Sequence, residues 1–335
     1  MEQVFVVNSN DWDFTGENVS SVSDKLETIL TLLDECKDRG ENVYYGNDLQ
    51  SKHVINNLTL WDFLYSDAMS SINKDIKDEL IAHINTATFY EEKADIWPRE
   101  FLETNVKNGS NIECSLEMSF VHHHLMDGNI SALLSFSHSA PLHSNSSRGN
   151  IYITTISSSQ SHKDFWRTTA LHILRDTAEN LQKISPNAYP ELFFHDKSWG
   201  NIDVFDGGYA AVGTELKKYL SILDDHGAWI FNTPPPALHK TDAVAPIDTS
   251  RPTNQLIEER FRGVGLTMSP EKPNVRTNEN CKLAREITVK NKTLYCEWHG
   301  KLELHKNRIH IYPPVPESGQ KLVIGIFHSH LPLPS

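Results

Sequence analysis

From Arg285 onward the hydrophobic pattern of the chain changes period. Four short apolar runs, 285–289, 293–298, 308–312 and 322–327, follow one another with polar turns at 290–292, 304–307 and 313–320. Runs of this length, rich in Ile, Val, Tyr and Phe, read as successive strands forming a sheet of their own. Upstream the pattern is mixed. Apolar residues at helical spacing mark helices at 21–37, 60–69, 76–84, 162–183 and 214–223, and a further helix over the 116–125 region. Strands are expected at 3–8, 43–45, 130–136 and 151–156, with the Ser/His/Asn-rich stretch 137–149 as a loop. The expected fold class is α+β, or an α/β body, with a β-rich C-terminal domain.

Residues 232–253 contain five prolines and no periodicity, the character of a linker or extended strap. The expected domains are therefore an acidic mixed body over 1–231, the linker, and a domain over 254–335 that opens with a short helix at 254–261. With 39% hydrophobic and 22% charged residues, the 335-residue chain is ordinary for a globular protein. No apolar run approaches the roughly 20 residues that span a bilayer, so no membrane partner is expected. The opening Met1-Glu2-Gln3-Val4-Phe5-Val6-Val7 lacks a basic stretch and reads as a strand, not a signal peptide. Four cysteines without a CxxC pair point to a reducing, cytoplasmic setting.

Charge is uneven. The net charge is −13, yet residues 272–335 hold ten Lys and Arg against five acids, a surplus of +5 that leaves 1–271 at −18. A basic tail on an acidic body implies an anionic partner, nucleic acid being the commonest, or mutual neutralisation within the fold. Lys301, Lys306, Arg308 and Lys321 are the candidate nucleic-acid contacts.

Two segments carry candidate chemistry. His122-His123-His124-Leu125-Met126-Asp127-Gly128 fits HHxxxDG and resembles the active-site segment of the chloramphenicol-acetyltransferase and peptide-condensation superfamily. That resemblance implies a CoA-dependent acyltransferase with His123 as general base. The family needs a strand entering the histidines, whereas Leu116, Phe120, Val121, His124 and Leu125 sit at helical spacing, with Gly128 where a helix stops. The favoured reading is the last turn of a helix, its histidines facing the negative end of the dipole.

The second segment is the C-terminus, where five of the seventeen histidines lie in the last 37 residues. His328 and His330 share one face of a strand, a spacing that suits a metal pair or an exposed strand edge. The series Cys296-Glu297-Trp298-His299-Gly300-Lys301, then Arg308-Ile309-His310-Ile311-Tyr312, then Lys321 to His328 resembles the strand series of RelE/HigB-type toxins, small ribonucleases that cut mRNA on the ribosome. The resemblance implies that Lys301 and Arg308 stabilise phosphorane charge and that His310, Tyr312 or His328 moves protons, making Arg308, His310, Tyr312 and His328 the candidate catalytic set. More loosely, the tail resembles that of uncharacterised bacterial proteins associated with defence and mobile-element islands. No GxSxG, GxxxxGK[ST] or GxGxxG is present, and no cofactor is expected.

The leading expectation is a bacterial antiphage-defence or toxin-type protein. Its body would recognise a protein partner or itself, and its basic domain would contact nucleic acid or a nucleic-acid-processing protein. Binding is preferred over RNA cleavage, which stays open. The alternatives are the acyltransferase and a non-catalytic assembly subunit.

Overall fold

The computed structural model describes residues 3–67, 70–137, 140–232 and 252–334. It is an α+β structure that divides into two compact units, Met1–Leu174 and Arg175–Ser335. Most of the expected linker, residues 233–251, lies outside the described residues. The boundary between units falls instead inside the segment expected to be one helix over 162–183. That segment is a helix Ser159–Asp164, a π-helical turn Phe165–Ala170 and a short helix Leu171–Leu174. The chain then breaks at Arg175, whose φ is 74°, and restarts as Ala178–Ala188 under a Thr177 cap. An apolar stripe alone does not reveal the break, because both pieces carry one.

The N-terminal unit is built on a five-stranded sheet with every pairing parallel, in the order Thr155–Ile156, Ile130–Leu134, Gln3–Val7, Val43–Tyr45, Thr88–Phe89. By chain rank this is 5-4-1-2-3, the doubly wound arrangement whose order reverses between the first and fourth strands. Helix Val19–Asp38, capped by Asn18, buries Val22, Leu26, Ile29, Leu30 and Leu33, the stripe its sequence shows. Just past the first strand, at the reversal point, the chain turns through Ser9–Trp12. Asp11 is buried there, accepting hydrogen bonds from Asn8 Nδ2 (2.9 Å) and the Phe136 backbone N–H (3.1 Å). A carboxylate in this position is consistent with the lack of a glycine fingerprint for a bound pyrophosphate.

The stretch 137–149, expected as loop, contains the strand Leu142–Ser146, paired antiparallel with Gly149–Ile153. Its serines have poor strand propensity, but they satisfy a buried histidine. His122 contacts Ser144 Oγ at 2.8 Å and Ser146 Oγ at 2.9 Å. Tertiary pairing outweighs local preference here.

The C-terminal unit holds a mixed sheet in the order Leu192–Phe194, Leu322–His328, Lys306–Tyr312, Trp298–Glu303, Met268–Pro270. The first pair is parallel and the others antiparallel. The expected strand over 293–298 resolves into two, Lys292–Tyr295 and Trp298–Glu303, which belong to different sheets. The former makes a hairpin with Glu286–Val289, turning at Lys290 with φ 52°. The 24-residue helix Gly208–Phe231 lies against one sheet face: Tyr219 covers Gly300, and Leu322 meets Gly227. Trp298 packs there with Phe231 and Phe261, at ring-centroid distances of 6.0 and 5.6 Å.

The sheet therefore draws an edge strand and its main covering helix from before residue 232, correcting the expected start of that domain at 254. Charge does not follow the division as expected either, since Arg175–Ser335 holds as many carboxylates as Lys and Arg together. Among the described residues no helix is long and apolar enough to cross a membrane.

Candidate functional site

The face of the C-terminal sheet opposite helix Gly208–Phe231 is polar where three strands meet. Side chains alternate across a strand, so His299 and Lys301 share a face. The register sets His299 opposite His310 and Lys301 opposite Arg308, with Arg308 in turn opposite His328. The two imidazoles stack at 5.5 Å between centroids and 30° between planes.

Behind them is a buried ion pair. Arg285 is fully buried and donates from Nε to Glu271 Oε1 at 2.6 Å, while its Nη1 reaches the carbonyls of Cys281 (2.9 Å) and Pro332 (3.1 Å). The same Glu271 oxygen lies 3.5 Å from His299 Nδ1 and 3.9 Å from His310 Nδ1. Residues including Ser269, Lys272, Asn274, His299, Lys301 and Arg308 line a cleft of about 360 Å³ beside this pair.

Several nitrogens lining the cleft or buried behind it have hydrogen-bonding capacity that no group among the described residues meets in good geometry: His299 Nδ1 and Arg308 Nε, then both ring nitrogens of His310 and Arg285 Nη2. Buried polar atoms are nearly always satisfied in native proteins, so such a concentration points to a ligand or bound water. The cations outnumber the carboxylate. Arg285, Arg308, Lys301 and Lys272 lie around Glu271, and among the described residues neither Lys301 nor Lys272 makes an ion pair. A cleft so charged favours an anion and disfavours a metal cation.

Burial pushes the His299 pKa down to about 4, against a partial upward pull from Glu271. His310 is driven well below its ordinary value, chiefly by burial and then by His299, Arg285 and Arg308. Both rings are thus neutral at pH 7. A bound anion would oppose these effects and raise both values.

Of the residues singled out in the sequence, Lys301, Arg308 and His310 come together. His328 lies on the same face opposite Arg308, its Nδ1 accepting the His330 backbone N–H at 3.0 Å. His330 Nδ1 donates to the Leu331 carbonyl at 2.9 Å, so neither of these ring nitrogens is free for a metal. The groups able to gather three ligands among the described residues lie elsewhere.

The other candidates sit apart from the cleft. Lys306 is held by Asp206 (2.7 Å) and Glu303 (3.2 Å). Lys321 precedes the far end of strand Leu322–His328, roughly 20 Å along it from His328 at the usual rise per residue. Tyr312, two residues beyond His310 on the same strand, lines a different cavity with Trp298 and Phe231. Glu271, Arg285 and His299 were not among the sequence candidates. His299 was legible as the i−2 neighbour of Lys301 on one strand face. Glu271 and Arg285 carry no local signal, because only tertiary packing brings them in.

The HHxxxDG segment is helical, over Leu116–Met126, and Gly128 takes φ 78° after it, as its spacing favours. His123 is buried, with Nδ1 3.2 Å from Arg148 Nη1, and Arg148 in turn binds Asp127 at 2.6 Å. The strand the acyltransferase reading needs before the histidines is a helix, and the guanidinium occupies the lone pair a general base would use at Nδ1.

Comparison of the chain with protein-family models, with curated proteins and with solved structures gives no match. The functional argument therefore rests on the chemistry of the cleft.

Proposed function

We propose that the C-terminal sheet binds the phosphate backbone of a nucleic acid in the Lys301–Arg308 cleft, in a bacterial protein of the toxin or antiphage-defence type. The observation that carries this reading is the cross-strand pairing of Lys301 with Arg308 beside His299 and His310, whose Nδ1 atoms make no well-formed hydrogen bond among the described residues. Guanidinium and ammonium groups with converging N–H donors suit a phosphate. Holding the phosphodiester is the reading proposed for these groups, and cleavage is decided by product analysis of the RNA. The N-terminal unit, which carries the chain's net negative charge, is assigned the recognition of a protein partner.

Fluorescence anisotropy with short single-stranded RNA and DNA, using the full chain across a salt series, tests this. The wild type is expected to bind, and Arg308→Ala and Lys301→Ala each to weaken binding about tenfold and to flatten the salt dependence by about one ion. Lys306→Ala and Lys321→Ala are expected to change little. Binding that responds equally to all four substitutions, or to none, contradicts the assignment. Product analysis of the RNA from the same samples reports cleavage directly.

A further inference from the structure

A second cluster lies in the N-terminal unit, remote in sequence from the cleft residues. Cys36 sits in the last turn of helix Val19–Asp38, Glu41 follows the left-handed turn at Gly40 (φ 66°), and His162 belongs to helix Ser159–Asp164. All three are buried, and a sulfur, a carboxylate oxygen and an imidazole nitrogen from them lie within 4.8 Å of one another.

The groups behind them are ordered as supports. His162 Nε2 points at Glu41 Oε2 (2.8 Å), and its other nitrogen, Nδ1, is 3.3 Å from Glu35 Oε2. The second Glu41 oxygen accepts from Trp166 Nε1 at 2.7 Å. A carboxylate behind the histidine and a donor behind the ligating carboxylate fix ring orientation and ligand basicity at metal sites. The carboxyl end of a 20-residue helix adds a field that favours a cation.

We infer that Cys36, Glu41 and His162 form a binding site for one divalent transition-metal ion, with Glu35 and Trp166 as supports. A thiolate, an imidazole and a carboxylate select zinc, or cobalt in its place, over magnesium or calcium, which prefer oxygen ligands alone. Binding balances in charge: the ion displaces one proton from the Cys36 thiol and one from His162 Nε2. In the metal-free chain that Nε2 proton is the one shared with Glu41. The cluster thus carries the same net charge with two protons as with one divalent ion.

The test uses the full untagged chain produced in zinc-supplemented medium, dialysed and analysed for metals. About one zinc per chain is expected, falling several-fold in Cys36→Ala and in His162→Gln. Loading with cobalt is expected to give a thiolate-to-metal charge-transfer band that Cys36→Ser lacks. Should the variants fail to fold, the wild type decides through its zinc content and a rise in melting temperature on adding zinc to the stripped protein. Wild-type protein without stoichiometric metal and with an unmoved melting temperature overturns the inference. So does metal retained undiminished by both folded variants, or cobalt bound without the charge-transfer band.

Discussion

His122 and His124 in the N-terminal unit and His299 in the C-terminal unit are each held near pKa 4, by burial first of all, and His310 is driven well below its ordinary value. In the unfolded chain each returns to about 6.5. Between pH 6.5 and 4 the unfolded state therefore binds more protons than the folded one, and stability rises with pH across that window. The contribution is fully present above 6.5 and is lost on acidification, by about 1.4 kcal/mol per pH unit for each histidine fully out of step. Denaturant unfolding at pH 7.0, 6.0 and 5.0 is expected to show this decline in both units, and a flat profile would contradict these histidine environments. Ligand binding at the cleft carries the opposite proton preference. An anion that raises the His299 and His310 values is bound more tightly as pH falls, until the protein itself unfolds. At this scale the sequence was partly legible. Lys301, Arg308 and His310 could be chosen because strand period and charge both point to them. Tyr312 could not be rejected, because it follows His310 at strand period and only the packing shows that it lines another cavity.

The sheet of the C-terminal unit owes its position to a close approach. A Cβ added at Gly300 would overlap Tyr219 of helix Gly208–Phe231 and the Met268 sulfur, and neither is free to withdraw from a packed layer. Gly300→Ala is expected to destabilise that unit by about 1–3 kcal/mol, as overpacking does, and to loosen the strand that carries His299 and Lys301. Chemical denaturation compares the variant with wild type, and equal stability would mean that the helix does not seat on Gly300. Elements with a clean period were readable from the sequence: Val19–Asp38, Lys74–Asn85, Ile130–Leu134 and Leu322–His328 fall close to where alternation or helical spacing puts them. Those that failed did so for identifiable reasons. Leu142–Ser146 is made of serines and asparagine that serve a buried histidine, and the helix over 162–183 is two helices joined at a left-handed Arg175.

For the molecule as a whole, composition pointed to a basic C-terminal piece that starts after the prolines, while packing assigns residues 175–232 to the same unit. The reason is topological, since Leu192–Phe194 completes the sheet in parallel with Leu322–His328 and Gly208–Phe231 covers it. Parallel pairing across such a sequence distance has no local signature. Fragments 1–174 and 175–335 are each expected to fold, with dispersed amide resonances and cooperative melting, whereas 254–335 alone is expected to aggregate or remain unfolded. A folded, cooperative 254–335 would restore the boundary at the proline-rich stretch.

The central claim is that a phosphate sits between Lys301 and Arg308, and a crystal structure of the protein with a short RNA bound addresses it directly. The expected result is a backbone phosphate bridging those two side chains, within hydrogen-bonding distance of His299. Phosphates bound elsewhere on the surface at saturating RNA, with that cleft holding only water, would contradict it.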